Sequence, residues 1–74
     1  MKTLIRKEDQ ISIYLFEDSV PLTISENNII VGDPIDFYIG DRNSTNTMLI
    51  ENITSPSDWA HWKYKYVNAQ WVEA

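Results

Sequence analysis

Gln10-Ile11-Ser12-Ile13-Tyr14-Leu15-Phe16 decides the fold class. Ile11, Ile13 and Leu15 fall on one side of an extended chain, and Ser12, Tyr14 and Phe16 fall on the other. That period of two belongs to a strand, and it recurs along the chain. Downstream, Asp18-Ser19 signals a turn and Pro21 confines the next segment to an edge or to a strand's first residue. Leu22-Thr23-Ile24 alternates again, up to Glu26-Asn27-Asn28. Adjacent asparagines tolerate left-handed backbone angles, so a tight hairpin turn into Ile29-Ile30-Val31 is expected there.

Gly32-Asp33-Pro34 is the strongest punctuation in the chain. Beyond it, Ile35, Phe37 and Ile39 alternate with Asp36 and Tyr38, which predicts a half-buried strand ending at Gly40. Asp41-Arg42-Asn43-Ser44-Thr45-Asn46 is polar and turn-prone, and Met48, Ile50 and Ile53 continue as a further strand. In the loop Thr54-Ser55-Pro56-Ser57-Asp58, Ser57 or Asp58 is placed to cap one short helical turn reaching Trp59 and His61. The tail alternates once more. Trp62, Tyr64 and Tyr66 face one way and Lys63 and Lys65 the other, with Asn68-Ala69 as a hairpin tip before Gln70-Trp71-Val72.

No apolar stripe of helical period persists for three turns. The expectation is therefore a single all-β domain over residues 1–74, a small sandwich or rolled barrel of about six to eight short antiparallel strands.

A chain of 74 residues buries a modest fraction of its surface, and natural domains of this size often add a disulfide, a metal or a partner subunit. The absence of cysteine excludes disulfides and thiolate metal sites, and a single histidine makes a zinc site uncommon. Self-association is the staple that remains, with a well-packed monomer as its rival. No cofactor is implied.

Charge narrows the partners. Eleven acidic against six basic residues give a net charge of −5, and the basic residues Lys2, Arg6, Lys7, Arg42, Lys63 and Lys65 are dispersed. Nucleic-acid binding needs a cationic footprint that this chain lacks, and anionic membrane surfaces are disfavoured for the same reason. Ile29-Ile30-Val31 and Met48-Leu49-Ile50 are far too short to span a bilayer. The start, Met1 to Asp9, turns charged before an apolar signal core could form, so a soluble chain without a cleaved signal is expected. The glycosylation sequons at Asn43 and Asn52 are then chance matches.

Catalytic signals are weak, and no catalytic residue is assigned. His61, between two tryptophans, reads as a packed or capping residue, and no nucleophile motif surrounds any serine. The carboxylate pairs Asp33/Asp36 and Glu17/Asp18 would need a deep cleft to work on a glycosidic bond. Asp41 to Asn52 begins like a calcium loop, but Asn46 replaces the sixth-position glycine and Glu51 comes one residue early. No metal site is assigned.

All three tryptophans lie between Trp59 and Trp71. Trp59, Trp62, Tyr64, Tyr66 and Trp71 are accordingly the candidate functional residues. They either pack the core and a subunit interface, or they make a stacking platform for sugars, with Asn68, Gln70 and Lys63 bonding to hydroxyls.

Several segments carry a resemblance. The order Lys2-Thr3-Leu4-Ile5-Arg6-Lys7, Ser12-Ile13-Tyr14-Leu15-Phe16, Val31-Gly32-Asp33-Pro34, Ile39-Gly40-Asp41, Asn43-Ser44-Thr45-Asn46 and Trp59 to Tyr64 is similar to small uncharacterised proteins of marine tailed bacteriophages, especially those of cyanobacteria. The ending, tyrosine then a short polar turn then tryptophan, resembles hairpins of tail-fibre-associated proteins. Those often carry Asp-Gly where this chain has Asn68-Ala69. The resemblance implies a phage origin, residence in the infected host's cytoplasm or in the virion, and other phage structural proteins as partners. It brings no catalytic residues. The expected function is a non-enzymatic accessory or assembly protein that self-associates; the alternative is a carbohydrate-binding module using the C-terminal aromatics.

Overall fold

A computed structural model describes all 74 residues. The protein is all-β, with eight short strands: β1 (Lys2–Arg6), β2 (Ser12–Phe16), β3 (Leu22–Ile24), β4 (Ile29–Val31), β5 (Phe37–Ile39), β6 (Thr47–Ile50), β7 (Tyr64–Val67) and β8 (Gln70–Glu73). They form three antiparallel sheets in the orders β2-β1-β6, β3-β4-β5 and β7-β8. A bridge between Ile11 and Lys65 and a bond from the Tyr66 N–H to the Gln10 carbonyl (3.0 Å) attach the C-terminal hairpin to the chain entering β2. No helix is long and apolar enough to cross a membrane.

The core forms where the first two sheets meet. Leu4 and Ile13 of one sheet pack with Ile29, Val31 and Ile39 of the other, and Ile11, Tyr14, Phe16, Val20, Leu22, Ile24 and Leu49 close around them. The buried core is aliphatic throughout, and no side chain from Trp59 to Trp71 belongs to it.

Alternation does not mark Lys2–Arg6, yet β1 is the central strand of its sheet and the most buried of all. A strand covered on both faces loses its polar alternate. Here the polar alternate is Thr3, wholly buried but bonded: its hydroxyl donates to the Tyr14 carbonyl at 2.7 Å and meets the Ser12 hydroxyl at 2.6 Å. No buried side-chain polar atom in the protein lacks a partner.

Four local expectations are corrected. The β3–β4 turn contains no left-handed asparagine. The Ser25 hydroxyl closes it instead, donating to Asn28 and accepting from the N–H groups of Asn27 and Asn28. The strand expected from Ile35 is shortened to Phe37–Ile39, because Gly32 (φ +94°) opens a turn that the Asp36 N–H closes on the Val31 carbonyl at 2.8 Å. Ile35 and Phe37 are consequently exposed, and Ile39 alone of that set enters the core. The helical turn expected to reach Trp59 and His61 is replaced by a single β-turn at Ser57–Asp58, which the Trp59 N–H closes on the Pro56 carbonyl at 3.2 Å. Finally, Trp62 is not part of the last hairpin. Its φ of +71° breaks the extended chain two residues before β7 begins at Tyr64.

Candidate functional site

The structure splits the five aromatic candidates into two groups. Tyr64, Tyr66 and Trp71 lie on the β7–β8 hairpin, where Tyr66 and Trp71 are direct cross-strand partners. Trp71 stands edge-on to both tyrosines, with ring centroids 6.1 Å from Tyr64 and 4.9 Å from Tyr66 and interplanar angles of 80° and 67°. Such edge-to-face packing is the favourable arrangement for aromatic pairs, and it leaves no flat shared platform. The polar ends of two of these rings are committed within the chain. The Trp71 indole N–H donates to the Thr54 carbonyl (2.6 Å), and the Tyr64 hydroxyl donates to Asp58 (2.7 Å).

Asp58 is the electrostatic centre of this end of the molecule. Its carboxylate also accepts from the Lys63 ammonium at 2.8 Å. Those bonds, from Lys63 first and then Tyr64, hold the Asp58 carboxyl below its ordinary value. The same bonds raise the Lys63 ammonium and the Tyr64 hydroxyl above theirs.

The second group, Trp59 to Trp62, is fastened to β2. The Trp59 indole N–H reaches the Ser12 hydroxyl at 2.9 Å, and the Trp62 backbone N–H reaches the Ser12 carbonyl at 3.2 Å. Between them, His61 Nδ1 bonds to the Ile13 carbonyl. A carbonyl only accepts, so Nδ1 carries the proton. The His61 ring stands edge-on to Tyr14 and Trp59, at 5.4 and 5.1 Å. With Trp59 and His61 clamped to β2, Trp62 adopts a left-handed backbone that costs a bulky residue on the order of 1–3 kcal/mol, and the residue is 52% exposed.

Arg6 then orients that ring. Its guanidinium carbon lies 4.6 Å from the indole centroid, in cation–π contact. Arg6 is itself forked onto the Asp9 carboxylate, with its Nε 3.1 Å from Asp9 Oδ1 and Nη2 paired to the other oxygen. That hydrogen-bonded fork pulls the Asp9 carboxyl below its ordinary range and raises Arg6.

Beside Trp62 opens a cleft of about 130 Å³, lined by Ile13, Tyr14, Asp41, Arg42, His61 and Trp62. Asp41 and Arg42 are brought there by the Asp41–Asn46 loop, whose side-chain oxygens serve its own backbone. Asn43 accepts from the N–H groups of Thr45 and Asn46, while Asn46 accepts from that of Asn43 and donates to the Asp41 carbonyl. No group of acidic or histidine side chains is assembled in the way a metal ion would require.

Of the sequence candidates, only Trp62 lines this cleft. Tyr14, Asp41, Arg42 and His61 are brought to it from three separate segments, and no spacing in the sequence announces that meeting. The positive φ at Trp62 has no residue signature either, because it is imposed by the contacts to Ser12 and Ile13. No protein-family model, curated protein or solved structure matches the chain.

Proposed function

We propose that this chain is a non-enzymatic, phage-encoded accessory or assembly protein that works as a self-associating unit. The observation that carries the reading is the placement of its apolar side chains. Only six hydrophobic residues are buried, while Phe37, Tyr38, Met48 and Val72 stand exposed on strands. Each of those four lies on an outer strand: Phe37 and Tyr38 on β5, Met48 on β6 and Val72 on β8. Outer strands offer unpaired N–H and C=O groups, and monomeric proteins guard such edges with charge or proline. Apolar edges joined to a small core are what a subunit contact covers. The chain's resemblance to small phage proteins supports the phage setting, in the infected cell or the virion.

Mass spectrometry of purified phage particles tests the virion link. Stoichiometric recovery of the chain with tail or baseplate proteins is expected. Its confinement to the lysate, free of any particle, would restrict the reading to an accessory role inside the cell.

A further inference from the structure

We propose that the cleft beside Trp62 is a binding site for a single neutral sugar ring. This goes beyond self-association, since none of Phe37, Tyr38, Met48 and Val72 lines the cleft and Trp62 belongs to no strand.

Size sets the first limit. The cleft is open on one side, and its volume of about 130 Å³ is less than the roughly 150 Å³ of a closed cavity that takes benzene, so it suits one ring seated partly in solvent. The wall supplies the second. The Trp62 indole is half exposed, oriented by Arg6 and held by a backbone conformation that a bulky residue adopts only under constraint. Arg6, which stacks on the indole, does not line the cleft. An oriented aromatic surface suits the C–H face of a sugar.

The polar rim supplies the third. Hydroxyl groups both donate and accept, so they need a neighbouring donor and acceptor. Asp41 and Arg42 provide these side by side. The Asp41 carboxylate makes no hydrogen bond or ion pair within the chain, and the only polar contact of the neighbouring Arg42 guanidinium is with Glu8, at 3.4 Å. Arg42 therefore retains most of its five N–H donors. With Nδ1 of His61 committed to Ile13, Nε2 of that ring remains for a ligand. The charges of Asp41 and Arg42 offset each other, which favours a neutral ligand. A nucleobase would also stack, but the net charge of −5 opposes the phosphates that accompany one.

The test is an NMR titration of the full chain with the methyl glycosides of glucose, galactose, mannose and N-acetylglucosamine, and with adenosine as the rival probe. Saturable shifts are expected with at least one glycoside, at a Kd on the order of millimolar, centred on the Trp62 indole N–H and the Asp41, Arg42 and His61 amides. Asp41→Asn, an exposed change outside the core, should weaken that binding at least tenfold while leaving the rest of the spectrum in place. Trp62→Ala should abolish it; were that variant to unfold, Asp41→Asn and the shift map still decide. Absence of saturable shifts with every glycoside, shifts centred on Tyr64, Tyr66 and Trp71, unchanged affinity in Asp41→Asn, or saturation by adenosine alone would each overturn the assignment.

Discussion

The indole N–H of Trp59 donates to the hydroxyl of Ser12 at 2.9 Å, joining the start of the C-terminal segment to β2. This bond begins a directed chain. Thr3 gives its only hydroxyl proton to the Tyr14 carbonyl, so Ser12 must donate to Thr3 and accept from Trp59. The run is thus Trp59 to Ser12 to Thr3 to Tyr14, and two of its hydroxyls are wholly buried.

Removing the middle of that chain strands the Trp59 indole N–H and leaves Thr3 its bond to Tyr14. Ser12→Ala should cost about 2 kcal/mol, because a buried donor left unpaired carries its full desolvation penalty. Trp59→Phe should cost about 1–2 kcal/mol by the same argument together with lost packing. In the double variant the combined loss, read from urea denaturation, should be smaller than the sum of the two, because both changes delete the same bond.

The tip of the last hairpin predicts a gain. Asn68 and Ala69 both have positive φ, at 51° and 61°, the pairing that a two-residue turn of the right twist requires. Asparagine tolerates this conformation and alanine does not. Ala69→Gly should therefore stabilise the fold by about 0.5–1 kcal/mol and raise the melting temperature by a few degrees, seen by thermal circular dichroism.

Gly32 predicts the opposite. At φ +94°, a Cβ there would lie 3.0 Å from the Asp36 Cβ, the Asp36 nitrogen and the Pro34 carbonyl oxygen. Two of those three atoms are backbone, so little can yield. Gly32→Ala should destabilise by about 2 kcal/mol or more, lowering the denaturation midpoint and loosening the β4–β5 turn.

Acid should release the C-terminal hairpin. The Asp58 carboxyl is lowered from its ordinary 3.8 by its bonds to Lys63 and Tyr64. A carboxyl with a depressed folded-state pKa stabilises the fold above its unfolded value and loses that stabilisation as the pH falls through the folded one. The loss should therefore begin near pH 3.8 and continue below it. Near-ultraviolet circular dichroism of the tyrosines should track this step, and Asp58→Asn should flatten it.

These residues also mark how far the sequence could be read. Alternation at Leu22–Ile24 identifies a strand because the core covers its faces unevenly, whereas β2 is covered on both faces, with Ser12 and Ile13 both buried. Asn68-Ala69 is legible as a turn because its neighbours Val67 and Gln70 pair across it. Lys2–Arg6 escapes the same reading, since its polar residue Thr3 is buried through a partner nine residues away. Trp62 continues the alternation of Tyr64 and Tyr66 on paper, but contacts to Ser12 and Ile13 turn its backbone left-handed. The cleft was illegible for the same reason: Asp41 and Tyr14 meet only through tertiary structure.

Sedimentation equilibrium at micromolar concentration tests self-association most directly. The apolar outer strands predict a species whose mass is a multiple of the 8.7 kDa chain and which dissociates when Tyr38→Lys places a charge on β5. A single 8.7 kDa species across the whole concentration range would contradict it.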